Sequence, residues 1–123
     1  MNNLPSSALC RTFFVTILLS LLAAMPASAD VLAQYLVEAK LAACVNRLAP
    51  CQSLYRWQGK IENASEIPLL IKTTMSCYAA VEAAILEKHP YELPEIVYVH
   101  LAGGYPAYLQ WIASTIKLDT RFE

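Results

Sequence analysis

Charged residues are scarce in this 123-residue chain, and their scarcity limits what the protein can bind. Lysine, arginine, aspartate and glutamate make up 15% of the residues, with a net charge of -1. The sequence has no basic cluster and no interleaving of basic with aromatic residues, which argues against nucleic-acid binding. Hydrophobic residues make up 57% of the chain. So apolar a composition in one domain predicts that part of the surface is buried in an oligomer.

Motifs for catalysis are also missing. The chain has three glycines and shows no glycine-rich phosphate loop, nucleophile–base pair or paired-carboxylate motif. Glu92 and Glu95 are three residues apart, but Pro94 between them prevents helical spacing. The four cysteines form no Cys-x-x-Cys pair, so buried thiols and disulfides both stay open; they are Cys10, Cys44, Cys51 and Cys77. The sequence therefore predicts a protein that is not an enzyme.

Residues 1–29 allow two interpretations. An uncharged apolar run follows Arg11, and Pro26-Ala-Ser-Ala29 ends it in the manner of a cleavable signal peptide, which would mean export. The run is shorter than the roughly 20 residues that a spanning helix needs, so no stable membrane span is predicted. Residues 15–22 are equally typical of a strand covered on both faces. The predicted organisation is a disordered or signal segment at 1–12 and a single domain at 13–123.

Hydrophobic periodicity and turn residues divide the rest of the chain into short elements. With a strand at 15–22, the order is β-α-β-β-α-β followed by a last helix. This order predicts an α+β ferredoxin-like fold, an antiparallel sheet with two helices on one face. The predicted elements after residue 29 are a helix at 30–43 with Asp30 in its first turn, a bent strand at 44–61, a turn at 62–66, a strand at 67–74, a helix at 76–88 capped by Ser76, a strand at 94–101 and a helix from Pro106.

The first strand lies inside the sheet in that topology, which bears on the N-terminal ambiguity. Cleavage after Ala29 would remove its ladder of hydrogen bonds, each worth about 1 kcal/mol. A domain with a free energy of unfolding of about 5–15 kcal/mol could not absorb that loss. The topology therefore favours an intact strand and a cytoplasmic protein, with export to the periplasm or secretory pathway as the alternative.

Five blocks in a fixed order carry a family resemblance. They are Lys40-Leu-Ala-Ala-Cys-Val-Asn46, Tyr55-Arg-Trp-Gln-Gly-Lys60, Ile71-Lys-Thr-Thr74, His89-Pro-Tyr91 and Tyr108-Leu-Gln-Trp111. Together they resemble the CutA (CutA1) divalent ion tolerance proteins over about residues 28–117. The resemblance implies a homotrimer of ferredoxin-like subunits, similar in shape to the PII signalling trimers. It also implies a link to the tolerance of copper and other divalent ions.

The resemblance implies a copper site, of which this chain keeps one ligand. In one branch of the family the ligands are a cysteine on the first strand, the cysteine matching Cys44, and a histidine at the position of Lys88. The stretch at 18–27 has no cysteine. Because a transition-metal site needs three or four converging ligands, Cys44 alone does not make one. Cys44 is thus the metal-ligand candidate, with Cu(II) or another divalent metal as the candidate cofactor.

A cleft between subunits is the other candidate site. Aromatic side chains with a few polar groups are typical of small-molecule pockets, although the same residue types also dominate interfaces. Three hypotheses follow: a metal-tolerance trimer, a PII-like trimer that binds an effector through Lys60, Lys72 and His89, and a structural trimer that scaffolds a partner. The candidate cleft residues are Trp57, Lys60, Lys72, His89, Tyr91, Glu95 and Trp111.

Overall fold

A five-stranded antiparallel sheet and three helices make up the part of the chain that the computed structural model describes, residues 14–22, 26–88 and 93–116. The fold is therefore α+β, and the elements follow the predicted order, with the predicted bent strand divided in two. In chain order they are β1 (Phe14–Leu22), α1 (Pro26–Glu38), β2 (Cys44–Arg47), β3 (Cys51–Trp57), β4 (Lys60–Thr74), α2 (Met75–Lys88), β5 (Ile96–His100) and α3 (Pro106–Thr115).

Strand β4 organises the sheet because it is 15 residues long and pairs with three other strands. The order across the sheet is β2-β4-β1-β5, and β3 also pairs with β4. Residues 66–74 of β4 pair with β1. On the opposite edge of β4, β2 pairs with residues 69–72 and β3 with residues 60–66. Strand β1 thus lies in the interior of the sheet, between β4 and β5.

The two faces of the sheet differ in how they are covered. Side chains alternate between the faces along a strand, and Ile67, Leu69 and Ile71 of β4 are buried against α1 and α2. The alternate residues of β4 point to the other face, together with Cys44 and Asn46 of β2 and Val97 and Val99 of β5. We call this second face the open face. Helix α3 packs at one end of the sheet, where Ile112 and Ile116 contact Ala43 and Cys77.

Part of β4 extends past the rest of the sheet. Strand β1 ends at Leu22, opposite Glu66, so that among the described residues β3 is the one strand that pairs with residues 60–65. We call residues 51–65 the arm and Glu66 its root. A two-stranded hairpin is marginally stable by itself, and the arm exposes Leu54 by 72% and Ile61 by 57%. The arm therefore contributes little to the core of its own subunit.

The turn predicted at 62–66 is wrong, because these residues continue β4. The chain instead reverses at Gln58 and Gly59, with φ of 51° and 79°. Two successive residues with positive φ are typical of a type I′ hairpin turn, whose twist matches that of the flanking strands. A polar composition, which favours a turn in a sequence, is equally suited to an exposed two-stranded arm.

The predicted start and end of the first helix are wrong. Helix α1 begins at Pro26 and ends at Glu38, so Asp30 is beyond its first turn; its side chain forms an exposed ion pair with Arg47, at 2.9 Å. The left-handed φ of 61° at Lys40 follows the last turn and stops the helix. The backbone N–H groups of Leu41 and Ala42 then donate to the Leu36 carbonyl at 2.9 and 3.1 Å.

The predicted cap of the second helix is also wrong. Helix α2 begins at Met75, which puts Ser76 inside the first turn, where its hydroxyl lies 2.9 Å from the Thr74 hydroxyl. Within the described residues, no helix is long and apolar enough to cross a membrane.

Candidate functional site

Four of the predicted site residues share the open face, at two separate places. Lys60 and Lys72 are an even number of residues apart on β4; Trp57 pairs with Lys60 and Cys44 pairs with Lys72. At about 3.3 Å per residue, however, the twelve residues from Lys60 to Lys72 span about 40 Å. Within one chain these residues therefore form two groups, one at the tip of the arm and one at the other end of β4.

The group near the end of β4 consists of an ammonium, an amide and a thiol. Lys72 Nζ donates a hydrogen bond of 2.7 Å to Asn46 Oδ1, and the Cys44 thiol donates to the same oxygen at 3.9 Å. Cys44 and Lys72 are half-buried and lie directly opposite each other in the β2–β4 pair. Asn46 is a member of this group that sequence reasoning missed, although its spacing of two from Cys44 on a strand placed both on one face.

The backbone around this group is well anchored. The Ala43 N–H donates to the Lys72 carbonyl at 2.9 Å, which starts the pairing of β2 with β4. The Thr73 hydroxyl donates to the Leu41 carbonyl at 2.6 Å and ties the loop after α1 to the sheet. These bonds fix the relative positions of Cys44, Asn46 and Lys72 through the backbone.

This group suits an anion better than a cation. The Lys72 ammonium is positively charged and opposes the approach of a metal ion, whereas it would attract a carboxylate or a phosphate. Among the described residues, no three or more histidine, cysteine, aspartate or glutamate side chains converge to hold a metal. Cys44 could be one ligand of a metal site only if other ligands come from elsewhere.

The tip group consists of Trp57 and Lys60, on either side of the Gln58–Gly59 turn. Trp57 is half-buried and Lys60 is exposed. An aromatic ring next to an ammonium at a hairpin tip is suited to a contact with another molecule, because one ring face and one charge are presented together.

The remaining predicted residues are not brought to either group by a single chain. Trp111 lies on α3 and stacks obliquely on Tyr108, with ring centroids 5.6 Å apart. Glu95 is exposed and precedes β5. His89 and Tyr91 lie outside the described residues. The predicted cleft is therefore not formed by the described part of one chain.

A tyrosine cluster between α2 and β5 went unnoticed in the sequence. The Tyr78 hydroxyl donates to Glu82 at 2.8 Å, and the Tyr78 ring lies 4.6 Å from that of Tyr98, centroid to centroid. Burial, reinforced by the hydrogen bond to Glu82, raises the pKa of Tyr78 to about 12. Tyr78 is thus uncharged at neutral pH and serves packing rather than proton transfer. The only signal in the sequence was the spacing of four between Tyr78 and Glu82.

Comparison with known proteins assigns the chain to a family. The sequence model of the family described as "CutA1 divalent ion tolerance protein" matches residues 17–115. The chain is 40% identical over 91 residues to the divalent-cation tolerance protein CutA of Pectobacterium atrosepticum, which covers 74% of this chain and 83% of the relative. It is 41% identical over 81 residues to protein CutA of Mus musculus, which covers 66% of this chain and 46% of that longer protein.

Solved structures of CutA proteins have the same fold. The divalent cation tolerance protein of Thermus thermophilus superposes with a TM-score of 0.81 at 35% identity, covering 85% of this chain and 99% of that one. CutA from Xylella fastidiosa gives a TM-score of 0.80 at 41% identity, with 85% and 98% covered. With the family match over most of the chain, these likenesses show that the chain belongs to the CutA1 divalent ion tolerance protein family.

Proposed function

We propose that this chain acts as a non-catalytic homotrimer in the tolerance of divalent metal ions, built from ferredoxin-like subunits in a PII-like arrangement. Membership in the CutA1 family supports the link to divalent cations. The apolar surface that the single subunit leaves exposed supports the assembly. The sequence shows no nucleophile–base motif, which fits a role in binding rather than in catalysis.

The exposed arm is the observation that carries the proposal. Its hydrophobic residues Leu54 and Ile61 face solvent in the single chain, and the hairpin has no third strand over residues 60–65. On the open face, Val97 and Val99 of the edge strand β5 are exposed by 51% and 59%. Apolar surface of this kind marks sites of protein association. Association of three copies would cover both surfaces.

Cys44 is the proposed metal ligand, and Cu(II) is the proposed metal. A single thiolate does not hold such an ion. Copper binding by Cys44 therefore needs ligands from another subunit or from residues outside the described ranges. We take the missing ligands to come from another subunit, so that the trimer forms before the metal binds.

The test combines assembly and metal binding. Sedimentation velocity at micromolar concentration is expected to give a trimer, and calorimetry with Cu(II) is expected to show binding that Cys44→Ala abolishes. Cys51→Ala is the matched control, since Cys51 is an exposed thiol on the arm, and it should leave the titration unchanged. A monomer would contradict the assembly, and copper binding that survives Cys44→Ala would contradict the choice of ligand.

A second candidate function is the binding of an anionic effector, as in the PII trimers, and the geometry around Lys72 favours it. Within the described residues, the one polar side chain that Lys72 contacts is the neutral amide of Asn46, so no carboxylate neutralises its charge. Lys60 is about 40 Å away and cannot join the same site in one chain. We expect Lys72→Gln to abolish binding of a small carboxylate or phosphate in calorimetry, whereas Lys60→Gln leaves it intact. Loss in both variants or in neither would contradict this assignment.

A third possibility, a structural trimer that scaffolds a partner, would show the assembly without metal or effector binding.

The location of the protein in the cell is also part of the proposal. We infer a cytoplasmic protein that keeps β1, because β1 is an interior strand paired with both β4 and β5. Export is the alternative, and a structural relative from Archaeoglobus fulgidus is described as periplasmic. Mass spectrometry of the protein from its own host should find residues 14–22; a mature chain that starts at Asp30 would contradict the inference.

A further inference from the structure

Glu66, at the root of the arm, is a buried carboxylate that has no partner among the described residues. The residue is 7% exposed, and among residues 14–22, 26–88 and 93–116 no hydrogen-bond donor or cation contacts its side chain. Buried charges in folded proteins are paired or hydrogen-bonded, because desolvation without compensation costs several kcal/mol. The described part of a single chain therefore leaves Glu66 in an unfavourable state that a cation from another molecule would relieve.

The position of Glu66 shows from which side a cation can approach. Glu66 pairs with Leu22 of β1 on one edge and with Cys51 of β3 on the other, so the backbone closes both sides. Its side chain belongs to the open face, the same face as that of Glu62 four residues earlier. The two carboxylates make the open face acidic around the root of the arm.

The tip of the same arm has the opposite charge. Lys60 and Arg56 are exposed, and neither makes an ion pair with a described residue. Lys60 lies on the open face, as Glu66 does, whereas Arg56 points to the other side because it pairs with Ile61. The arm is thus basic at its tip and acidic at its root, and its exposed Leu54 and Ile61 lie on the same face as Arg56.

We propose that Lys60 at the arm tip of one copy of this chain forms an ion pair with Glu66 at the arm root of the next copy. The proposal rests on the homotrimer of the proposed function and names one contact within it. A contact between tip and root joins two different surfaces, and repeating such a head-to-tail contact around an axis closes a ring. Opposite charges on two ends of one element would thereby fix the direction of the ring.

A bound metal is the competing occupant, and the arm argues against it. Among the described residues of the open face, Glu62 and Cys51 are the other metal-ligating groups near the root. Glu62 lies four residues along the strand, about 13 Å away, so Cys51 alone is close to Glu66, and two ligands are too few for a transition-metal site. Leu54 and Ile61, exposed on the opposite face of the same arm, suit a protein surface and would contribute nothing to binding an ion. A second copy of the chain satisfies both the charge and the apolar residues.

Zero-length cross-linking of the unmodified protein tests the contact. A carbodiimide joins a lysine to a carboxylate only when the two groups touch. Lys60 and Glu66 of one copy are six residues apart on an extended strand, about 20 Å, so a bond between them must join two copies. In a trimer mixed from ¹⁴N and ¹⁵N chains, we expect a Lys60–Glu66 peptide pair that carries one label of each kind. A trimer that cross-links at other lysines but not at this pair would overturn the inference.

Variants provide an independent measurement. Glu66→Gln and Lys60→Gln should each raise the trimer dissociation constant about tenfold, and the double variant should add little to either single change, as coupled partners do. Lys40→Gln is the matched control, because it removes an exposed cation that lies outside the arm, and it should leave dissociation unchanged. Additive effects of the two changes would overturn the pair, and dissociation of the wild-type trimer by EDTA would indicate a metal at Glu66 instead. A wild-type monomer would refute the proposed function itself, which separates the two failures.

Discussion

The body of the sheet and its arm are built from one continuous strand, yet they differ in what makes them stable. In the body, Ile67, Leu69 and Ile71 of β4 are fully buried against two helices, and β4 has neighbours on both edges. In the arm, the same strand has one neighbour, and its apolar residues face solvent. The body is thus stabilised within a single chain, whereas the arm would gain its stability from the proposed association.

Removal of β1 should abolish the fold. A chain that begins at Asp30 lacks the strand that pairs with β4 along residues 66–74 and with β5 along residues 96–100, as well as the start of α1. The backbone hydrogen bonds that β1 makes with these two strands contribute a free energy comparable to the whole free energy of unfolding of a small domain. Circular dichroism should show no cooperative thermal transition. A cooperative transition in this truncated chain would mean that the body does not depend on β1.

A cavity in the core of the body should be the next largest effect. Ile71→Ala removes buried methylene and methyl groups between α1, α2 and the sheet, which should lower the free energy of unfolding by about 2–5 kcal/mol. Ile71→Val is the milder control, at about 0.5–1.5 kcal/mol. Urea titration measures both. Equal losses for the two variants would contradict the packing described here.

Leu54→Ser in the arm should behave in the opposite way. Because Leu54 is exposed in the single chain, the change should alter the unfolding of the monomer by less than about 0.5 kcal/mol. It should nevertheless weaken the trimer, since it replaces apolar contact area at the interface. Sedimentation over a dilution series separates the two effects. A variant that lowers the stability of the monomer and leaves assembly intact would place Leu54 in the subunit core.

High pH should weaken the body through Tyr78. Its pKa is raised to about 12 in the folded protein, against about 10 in the unfolded chain, so between these values the unfolded state releases the proton first. The free energy of unfolding should therefore fall as the pH rises from 10 to 12, by at most about 1.4 kcal/mol per pH unit and less where solvent screens the side chain. Tyr78→Phe should flatten this part of the pH dependence, whereas Tyr35→Phe, on an exposed tyrosine of α1, should not.

The turn of the arm should show the smallest effect on the stability of the trimer. Gly59 has a φ of 79°, and no atom lies within 4 Å of where a Cβ would be, so Gly59→Ala strains only the backbone, by about 1 kcal/mol. Gly103→Ala is the matched control, because its Cβ would also meet nothing and its φ is ordinary. Gly59→Ala should lower the melting temperature of the trimer, and Gly103→Ala should not. Equal shifts would mean that the turn does not limit the arm.

Periodicity and turn residues predicted the body better than the arm. The run around Ile71 and the stripe of Leu32 and Leu36 are apolar because they fill one core, and that pattern is local in the sequence. Residues 62–66 are polar because most of them belong to one strand of a hairpin outside the core. A polar stretch of sequence is equally typical of a turn and of an exposed strand. The end of α1 could not be predicted, because it depends on the positive φ of Lys40 and the residue type does not indicate that conformation.

The candidate sites divide in the same way. The pairing of Cys44 with Lys72 follows from strand register, which no single block of the sequence contains, and it brought in Asn46 as the shared hydrogen-bond acceptor. The separation of Lys60 from Lys72 depends on β4 being one long strand, whereas the predicted turn at 62–66 would have let the chain fold them closer. That Glu66 is buried with no partner among the described residues became visible only in the structure, since a glutamate is ordinary on a surface.

The mass of the protein in solution shows whether the arm is stabilised by association. If the arm is stabilised by association, sedimentation equilibrium of the wild-type protein at micromolar concentration should give about three times the chain mass of 13.6 kDa, and Leu54→Ser should shift the distribution toward the single chain. A wild-type protein that sediments at 13.6 kDa with a protected arm would contradict the claim, because the hairpin would then be stable without any partner.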